Sequence, residues 1–592
     1  MEELGKQISE VVERLFHAAD MPVMVTAVSG QKFADGREVE FSSNVAMQLA
    51  KRVGRAPREI AAEIASEISG FETEVAGPGF LNFISPDEYY LEKLGEFGRD
   101  FTKNISCNEY NGQTVICEFS DPNPFKVLHV GHLYTSVVGD SISRLLEFAG
   151  GKVVRANFGG DVGLHVAKTL RALSDKGLSG SRPSGPSSRA DGANPRQQAP
   201  GYPEKPLLSL TPEESANLLA ECYVEGTRLY EEDAEAKAEI DRLNREIYEI
   251  VTNDIHEGEL AEMYWWGREA SYAYFREFYA KVGLAFDKFY PESSVAELGL
   301  ATVRKQLLRG VYGESDGAVI FPGEKYGLHT RVFINKNGVP TYETQDVGLI
   351  FQKDADYHFD KSIVITANEQ YEYMRVVWKS ISLYAPELIA RSQHLTHGMV
   401  KLPGSVKMSS RLGNFLRAVD VLSAVRESLA GVSKGLDAKD FEKVAMGAVK
   451  YAFLKYKMGG DIVFDIAESV SVTGNSGPYL QYSAVRAKKI IGEILKNGVK
   501  SSANWQMNLH ERSLLRKLSC YQSVLNEAVS ELAPHKVCTY LYELAQEFSR
   551  FYENVKVVGS EYEKERGEMV MAYLKVMTHG LGLLGIEVPE RM

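Results

Sequence analysis

The chain of 592 residues is 44% hydrophobic and 25% charged, and its 80 acidic against 67 basic side chains give a formal net charge of −13. Such a length accommodates several domains with a sizeable core, the composition excludes a disordered or fibrous protein, and the negative balance means that nucleic-acid binding would need a local basic face. No apolar run is long enough to cross a bilayer, and the amino terminus MEELGKQISEVVERLF has the pattern of an acidic amphipathic helix instead of a signal peptide, so a cytoplasmic protein with no membrane partner is expected.

Residues 1–107 form a first unit. A polar turn at Asp35-Gly36 leads into FSSNVAMQLAKRVGRAPREIAAEIASEI, where Val45, Leu49, Val53, Ile60, Ile64 and Ile68 predict two helices split near Pro57. The glycines and Pro78 of EVAGPGFLNFIS then mark a turn before a short strand, which makes the unit α/β. The five cysteines, Cys107, Cys117, Cys222, Cys520 and Cys538, show no CxxC spacing, so reduced and mostly buried thiols are expected, and neither a structural metal nor a disulfide framework is indicated.

From 108 to 425 strands and helices alternate as in a doubly wound, Rossmann-like parallel sheet. Thr114 to Phe119 reads as a buried strand; after the loop SDPNPFKVLHVGH, the spacing of Leu133, Val137, Leu145, Leu146 and Phe148 predicts a helix. A helix opening at Gly131 leaves its first N–H groups without partners and attracts phosphate, and Lys126, His129 and His132 would add donors to the same place. A metal pair is the alternative for the two histidines, but no cysteine or carboxylate partner lies next to them. The strand KVVRANFGGD, 152–161, should return beside the first, with ligands at the carboxyl ends of both. The Ser-, Pro- and Gly-rich stretch 178–206 cannot bury enough surface to order itself and is expected to be a disordered insertion. Residues 211–280 are helical in pattern, and their aromatics, Tyr264, Trp265, Trp266 and Tyr272 to Phe275, are expected in the core. Tyr342 and Asp346, four apart in a helical pattern, share a face, and GSVKMSSRLGN, 404–414, is a donor-rich loop suited to closing over a triphosphate. Residues 439–592 read as an all-α bundle, and Arg486, Lys488, Lys489, Lys496 and Lys500, opposed only by Glu493, offer the local basic face.

HVGH and KMSS in this order resemble the paired signatures of class I aminoacyl-tRNA synthetases, although Ser410 stands where the second usually ends in lysine. SDPNPFK, YPES, YETQDVG and NEQ narrow the resemblance to the arginyl-tRNA synthetases, as do the amino-terminal strings and the ending GLGLLGIEVPERM. The resemblance implies ATP-dependent attachment of L-arginine to tRNA(Arg) through an arginyl-adenylate, with Mg²⁺ accompanying ATP, no prosthetic group and a monomeric enzyme. Residue by residue, it implies that Glu292, Tyr342 and Asp346 grip the guanidinium, while Ser120, Asn123 and Gln370 orient the amino and carboxyl groups, Glu118 completing the arginine set. His129, Gly131 and His132 would stabilise the transition state at the α-phosphate, Lys126 assisting, and Lys407, Ser409 and Ser410 would hold the pyrophosphate. For tRNA it implies Phe80 and Asn82 in an amino-terminal domain and Tyr479, Gln481, Tyr482 and Arg486 in an anticodon-binding domain, with Arg550 and Tyr552 as further candidates and Tyr542 and Phe548 in the core. The alternatives are another class I specificity, which leaves Glu292, Tyr342 and Asp346 without an explanation, and a catalytically silent tRNA-binding relative, which has no use for a triphosphate clamp.

Overall fold

The structure, a computed structural model, describes residues 2–28, 31–34, 38–99, 101–176, 207–403, 416–432, 435–497 and 505–592. The Asp35-Gly36 turn, the insertion at 178–206, the loop at 404–414 and Lys500 lie outside the described residues. The chain divides into two compact units, one of residues 1–104, 490–520 and 547–575 and the other of residues 105–489, 521–546 and 576–592.

The smaller unit begins with α1 (Glu2–Phe16), β1 (Thr26–Ala27), β2 (Phe41–Ser43), α2 (Val45–Val53), α3 (Pro57–Glu67), β3 (Glu72–Ala76), β4 (Phe80–Ile84), α4 (Asp87–Arg99) and α5 (Phe101–Asn104). Pro57 occupies the first turn of α3, where its missing N–H costs nothing, and so separates the two expected helices. Leu4, Ile8, Val45, Leu49, Ile60 and Ile64 are fully buried with Leu81 and Phe83 of the antiparallel sheet, whose order is β1-β2-β4-β3.

The larger unit continues with β5 (Thr114–Glu118), α6 (Val130–Phe148), β6 (Lys152–Gly159), α7 (Leu164–Asp175), α8 (Pro212–Glu232), α9 (Ala234–Thr252), α10 (Glu259–Lys281), β7 (Lys288–Pro291) and α11 (Glu292–Leu307). A small antiparallel sheet of β8 (Gly313–Ser315), β9 (Ala318–Phe321) and β10 (Arg331–Ile334) precedes α12 (Tyr342–Tyr357), β11 (Lys361–Ala367), α13 (Tyr371–Ser382), α14 (Pro386–Ala390) and β12 (Ser392–His397). The main sheet is wholly parallel, in the order β12-β11-β5-β6-β7. β6 does return beside β5, and the order reverses between β5 and β11, which opens a crevice at their carboxyl ends. Tyr264, Tyr274 and Phe275 are in the core as expected, whereas Trp265 and Trp266 are only half-buried.

Beyond the sheet come β13 (Val400–Lys401), α15 (Ala418–Val432), α16 (Ala438–Leu454), β14 (Ile462–Val463) and α17 (Ile466–Ser469). The expected boundary at 425 therefore falls inside α15. The rest is helical: α18 (Gly477–Asn497), α19 (Leu509–Ser519), α20 (Tyr521–Ser530), α21 (Pro534–Asn554) and α22 (Glu563–Leu583). Phe548 is fully buried and stacks on Tyr573 at 3.9 Å, while Tyr542 is half-buried.

Candidate active site

The loop after β5 is held in a conformation that its residues do not favour. Ser120, Asp121 and Phe125 have φ of 75°, 46° and 67°, a region costly for side chains bearing a Cβ. Tertiary bonds offset that cost: Asp121 Oδ1 accepts from Phe158 N at 2.8 Å, Asn123 Oδ1 from Gly160 N at 3.0 Å, and Ser271 Oγ from Phe125 N at 2.9 Å. Ser120 Oγ is hydrogen-bonded to Tyr279 Oη at 2.8 Å and accepts from Ser136 Oγ at 2.9 Å. Lys126 Nζ lies 4.5 Å from the ring centre of Tyr223 on α8.

The expectation of unpartnered N–H groups at Gly131 is corrected. The helix begins at Val130, and His129 Nδ1 accepts from Gly131 N at 3.1 Å and His132 N at 3.4 Å, while His132 Nδ1 accepts from His129 N at 3.2 Å. The two imidazoles form a reciprocal cap and stack with centres 3.7 Å apart. Burial, with Lys126 beside it, pulls His129 down to about 4; burial, then His129 and Lys126, holds His132 well below the usual histidine range. A neutral ring that accepts at Nδ1 carries its proton at Nε2, so each histidine keeps one N–H donor. Val130 N donates to Leu416 O and Ala418 N to Leu128 O, both at 2.9 Å, so the chain downstream of the KMSS loop returns against this motif. Lys407, Ser409 and Ser410 themselves lie outside the described residues.

Across the crevice Glu292 begins α11, 4% exposed, and among the described residues its Oε2 has no hydrogen-bond partner. Burial, then Asp161 and Asp346, raises its carboxyl well above the usual range. Asp346 on α12 accepts a hydrogen bond from Tyr373 Oη, and burial raises its carboxyl to about 7. Tyr342, in the first turn of the same helix, is half exposed, and Gln370 is exposed in the turn that closes β11. Glu118, expected among the arginine contacts, is 3% exposed and ion-paired with Lys353, itself 2% exposed. Asp161 pairs with Arg268 at 2.8 Å and Glu343 with Arg331 at 3.0 Å. Glu118, Asp161 and Glu343 thus have ion pairs of their own; among the described residues Glu292 has none, and Asp346 has a hydroxyl.

The helices bearing these two carboxylates cross through glycine. A Cβ on Gly299 of α11 would lie 2.1 Å from Thr344 O, and one on Gly348 of α12 would lie 2.1 Å from Val295 O. Sequence reasoning missed Asp161, Arg268, Lys353 and Tyr373. A strand ending Gly-Gly-Asp is a signal for the first; the other three come from distant helices, and their sequence surroundings carry no mark.

The tRNA candidates divide. Phe80 is 39% exposed, whereas Asn82, expected to reach tRNA by hydrogen bonding, is 4% exposed in β4, and among the described residues its Oδ1 has no hydrogen-bond partner. Gln481, another expected tRNA contact, is fully buried and donates to Lys443 O at 2.9 Å and Glu587 O at 2.7 Å. Tyr482 is half-buried with the Arg486 guanidinium 4.9 Å from its ring centre, and Tyr479 packs on Tyr542 at 5.9 Å. Tyr552 is 45% exposed; Arg550 pairs with Glu547 at 2.6 Å.

Three family models match in order: the arginyl tRNA synthetase N terminal domain over residues 2–84, the tRNA synthetases class I (R) catalytic domain over 101–177 and 210–466, and the DALR anticodon binding domain over 480–592. The chain is 28% identical to an arginine–tRNA ligase of Bacteroides fragilis, covering 96% of this chain and 99% of the relative, and 28% identical to one of Maricaulis maris, covering 100% of both. The fold resembles that of an arginyl-tRNA synthetase from Thermus thermophilus, with a TM-score of 0.74 at 22% identity and 100% of both chains covered. Because the arginyl-type catalytic model spans more than half of the chain, with the arginyl amino-terminal domain before it, this chain belongs to the class I arginyl-tRNA synthetase family.

Proposed function

We propose that the crevice between the carboxyl ends of β5 and β11 is where this arginine–tRNA ligase activates its amino acid. The overall reaction is ATP-dependent attachment of L-arginine to tRNA(Arg) through arginyl-adenylate, with release of AMP and pyrophosphate. The observation that carries the assignment of the crevice is its charge balance: Glu118, Asp161 and Glu343 are each ion-paired, whereas among the described residues Glu292 and Asp346 have no salt-bridge partner. A buried carboxylate without a counter-ion is unstable, and a guanidinium with five N–H donors in a planar fork supplies both charge and hydrogen bonds.

Glu292, Asp346 and Tyr342 would take the guanidinium, and Ser120, Asn123 and Gln370 the α-amino and carboxyl groups. The arginine carboxylate then attacks the α-phosphate in line. The Nε2–H groups of His129 and His132 would donate to the phosphate oxygens where charge grows, with Gly131 keeping that approach open and Lys126 moving from the Tyr223 ring to assist. Lys407, Ser409 and Ser410 would hold the departing pyrophosphate. Mg²⁺ would arrive with ATP, whose phosphate oxygens are its natural ligands; among the described residues no cluster of three or more His, Cys, Asp or Glu could hold a metal. Phe80 in an amino-terminal domain of residues 1–107, and Tyr479, Tyr482 and Arg486 in a helical domain of residues 439–592, are the tRNA contacts that remain accessible. A cytoplasmic monomer completes the reading.

The test is arginine-dependent exchange of labelled pyrophosphate into ATP, with lysine and glutamine as controls and with tRNA(Arg) present or absent. Exchange specific to arginine is expected. Exchange that does not respond to arginine would overturn the assignment, and its dependence on tRNA would show whether tRNA completes the site.

A further inference from the structure

The carboxylate of Asp161 is fully buried two residues beyond Gly159, which ends β6, and it is unusually occupied. Its Oδ1 accepts from Ser293 N at 2.9 Å; its Oδ2 accepts from Ser293 Oγ at 2.7 Å, Arg268 Nε at 2.8 Å and, more distantly, Tyr264 Oη at 3.3 Å. Arg268 is itself held, its guanidinium 5.3 Å from the ring centres of both Trp265 and Tyr272. The bonded residue, Ser293, directly follows Glu292 in the first turn of α11. On the other side of Asp161, Gly160 leaves the space that the Glu292 carboxylate occupies, since a Cβ there would lie 3.0 Å from Glu292 Oε1 and 2.8 Å from Asn123 Oδ1. Gly160 is fixed at both ends, its N–H donating to Asn123 and its carbonyl accepting from His165 Nε2 at 2.8 Å.

We propose that Asp161, anchored by Arg268, is a positioning residue for arginine recognition: it fixes the first turn of α11 so that the buried carboxylate of Glu292 faces the guanidinium. A flexible Glu292 would have to be ordered as arginine binds; a fixed one is ordered in advance, and the difference falls on arginine affinity. Asp161 is fully buried and bonded to protein groups, and Arg268 neutralises it, so its own charge does not compete for the ligand. This inference rests on the assignment of Glu292 to the guanidinium.

The test is arginine-dependent pyrophosphate exchange by the full chain with tRNA(Arg), comparing Asp161→Asn, Glu292→Gln and the double variant. Asp161→Asn is expected to lower kcat/KM for arginine by about tenfold, chiefly through KM, the size expected for losing hydrogen bonds to a charged group, with KM for ATP unchanged. In the Glu292→Gln background the same substitution should change little, because the two residues act as one unit. Equal losses in both backgrounds, or a parallel rise in KM for ATP, would mean a general structural role and overturn the proposal, as would Asp161→Asn behaving like the unaltered enzyme. If Asp161→Asn does not fold, Ser293→Ala, which removes one bond to Asp161, decides the same comparison with an expected loss of about threefold. Failure of the unaltered enzyme to respond to arginine would instead overturn the underlying assignment.

Discussion

At the residue scale, the paired histidines combine two roles that substitution can separate. The Nδ1 atom of His129 caps α6, and its Nε2–H is the donor proposed for the triphosphate. Asparagine places an oxygen near Nδ1 but has nothing at the Nε2 position, so His129→Asn is expected to keep the thermal midpoint while lowering kcat for pyrophosphate exchange about a hundredfold. A fall in stability of about 1 kcal/mol or more with kcat retained would mean that the histidine serves the helix alone. Asp346 makes a pH-dependent prediction. Its carboxyl, raised to about 7 by burial, must be ionised to hold a guanidinium, so KM for arginine should fall by about tenfold per unit as pH rises toward 7 and level off above it. The free protein should show the opposite trend in stability. Between about 4 and about 7 the folded state retains a proton that the unfolded chain has lost, and this contribution to stability diminishes as pH rises through that window. A pH-independent KM would remove Asp346 from the arginine site.

At the scale of elements, the distance between Glu292 and Asp346 is set by how closely α11 and α12 approach. Gly299 and Gly348 each lie against a carbonyl of the opposing helix, leaving no room for a methyl group. Gly348→Ala is therefore expected to lower stability by about 1–3 kcal/mol and to raise KM for arginine, because the helices must separate and carry their carboxylates with them. Gly492→Ala in α18, where nothing lies within 4 Å of the added carbon, is the control and should leave both unchanged or add slightly to stability. Thermal unfolding and exchange kinetics on both variants check the prediction; equal KM values would mean that the helix spacing does not control recognition. The pairing of α11 with α12 was only partly legible in the sequence. Tyr342 and Asp346 announced one face of α12 by their spacing, but no local pattern shows that a glycine six residues into one helix opposes a glycine seven residues into another.

At the scale of the whole molecule, the carboxyl terminus is bound into the larger unit. Asp440, 3% exposed, accepts from Glu590 N at 3.0 Å and Arg591 N at 2.9 Å; Gln481 donates to Glu587 O, and Lys450 to Gly585 O at 2.7 Å. Removing residues 586–592 strips Asp440 and Gln481 of these partners, and each orphaned group costs about 1–3 kcal/mol. The truncated chain should unfold at a clearly lower temperature, and an unchanged midpoint would show that the tail is dispensable to the fold. The same clamp explains why Gln481, placed at the tRNA by family resemblance, is buried: its side chain is committed to two carbonyls within its own unit.

What the sequence determined by itself were the features that depend on neighbours in the chain. The parallel sheet and its crevice followed from alternating periods, the start of α6 from HVGH, the break at Pro57 from the geometry of proline, and the shared face of Tyr342 and Asp346 from helical spacing. Tertiary structure alone decided which charges are paired. Lys353 neutralises Glu118, Arg268 neutralises Asp161 and Arg331 neutralises Glu343, each from a different element. Propensity and periodicity describe how a segment folds and which face it buries; whether a buried carboxylate is satisfied depends on what packs against it from elsewhere, and the proposed role of Glu292 rests on its having no ion pair among the described residues.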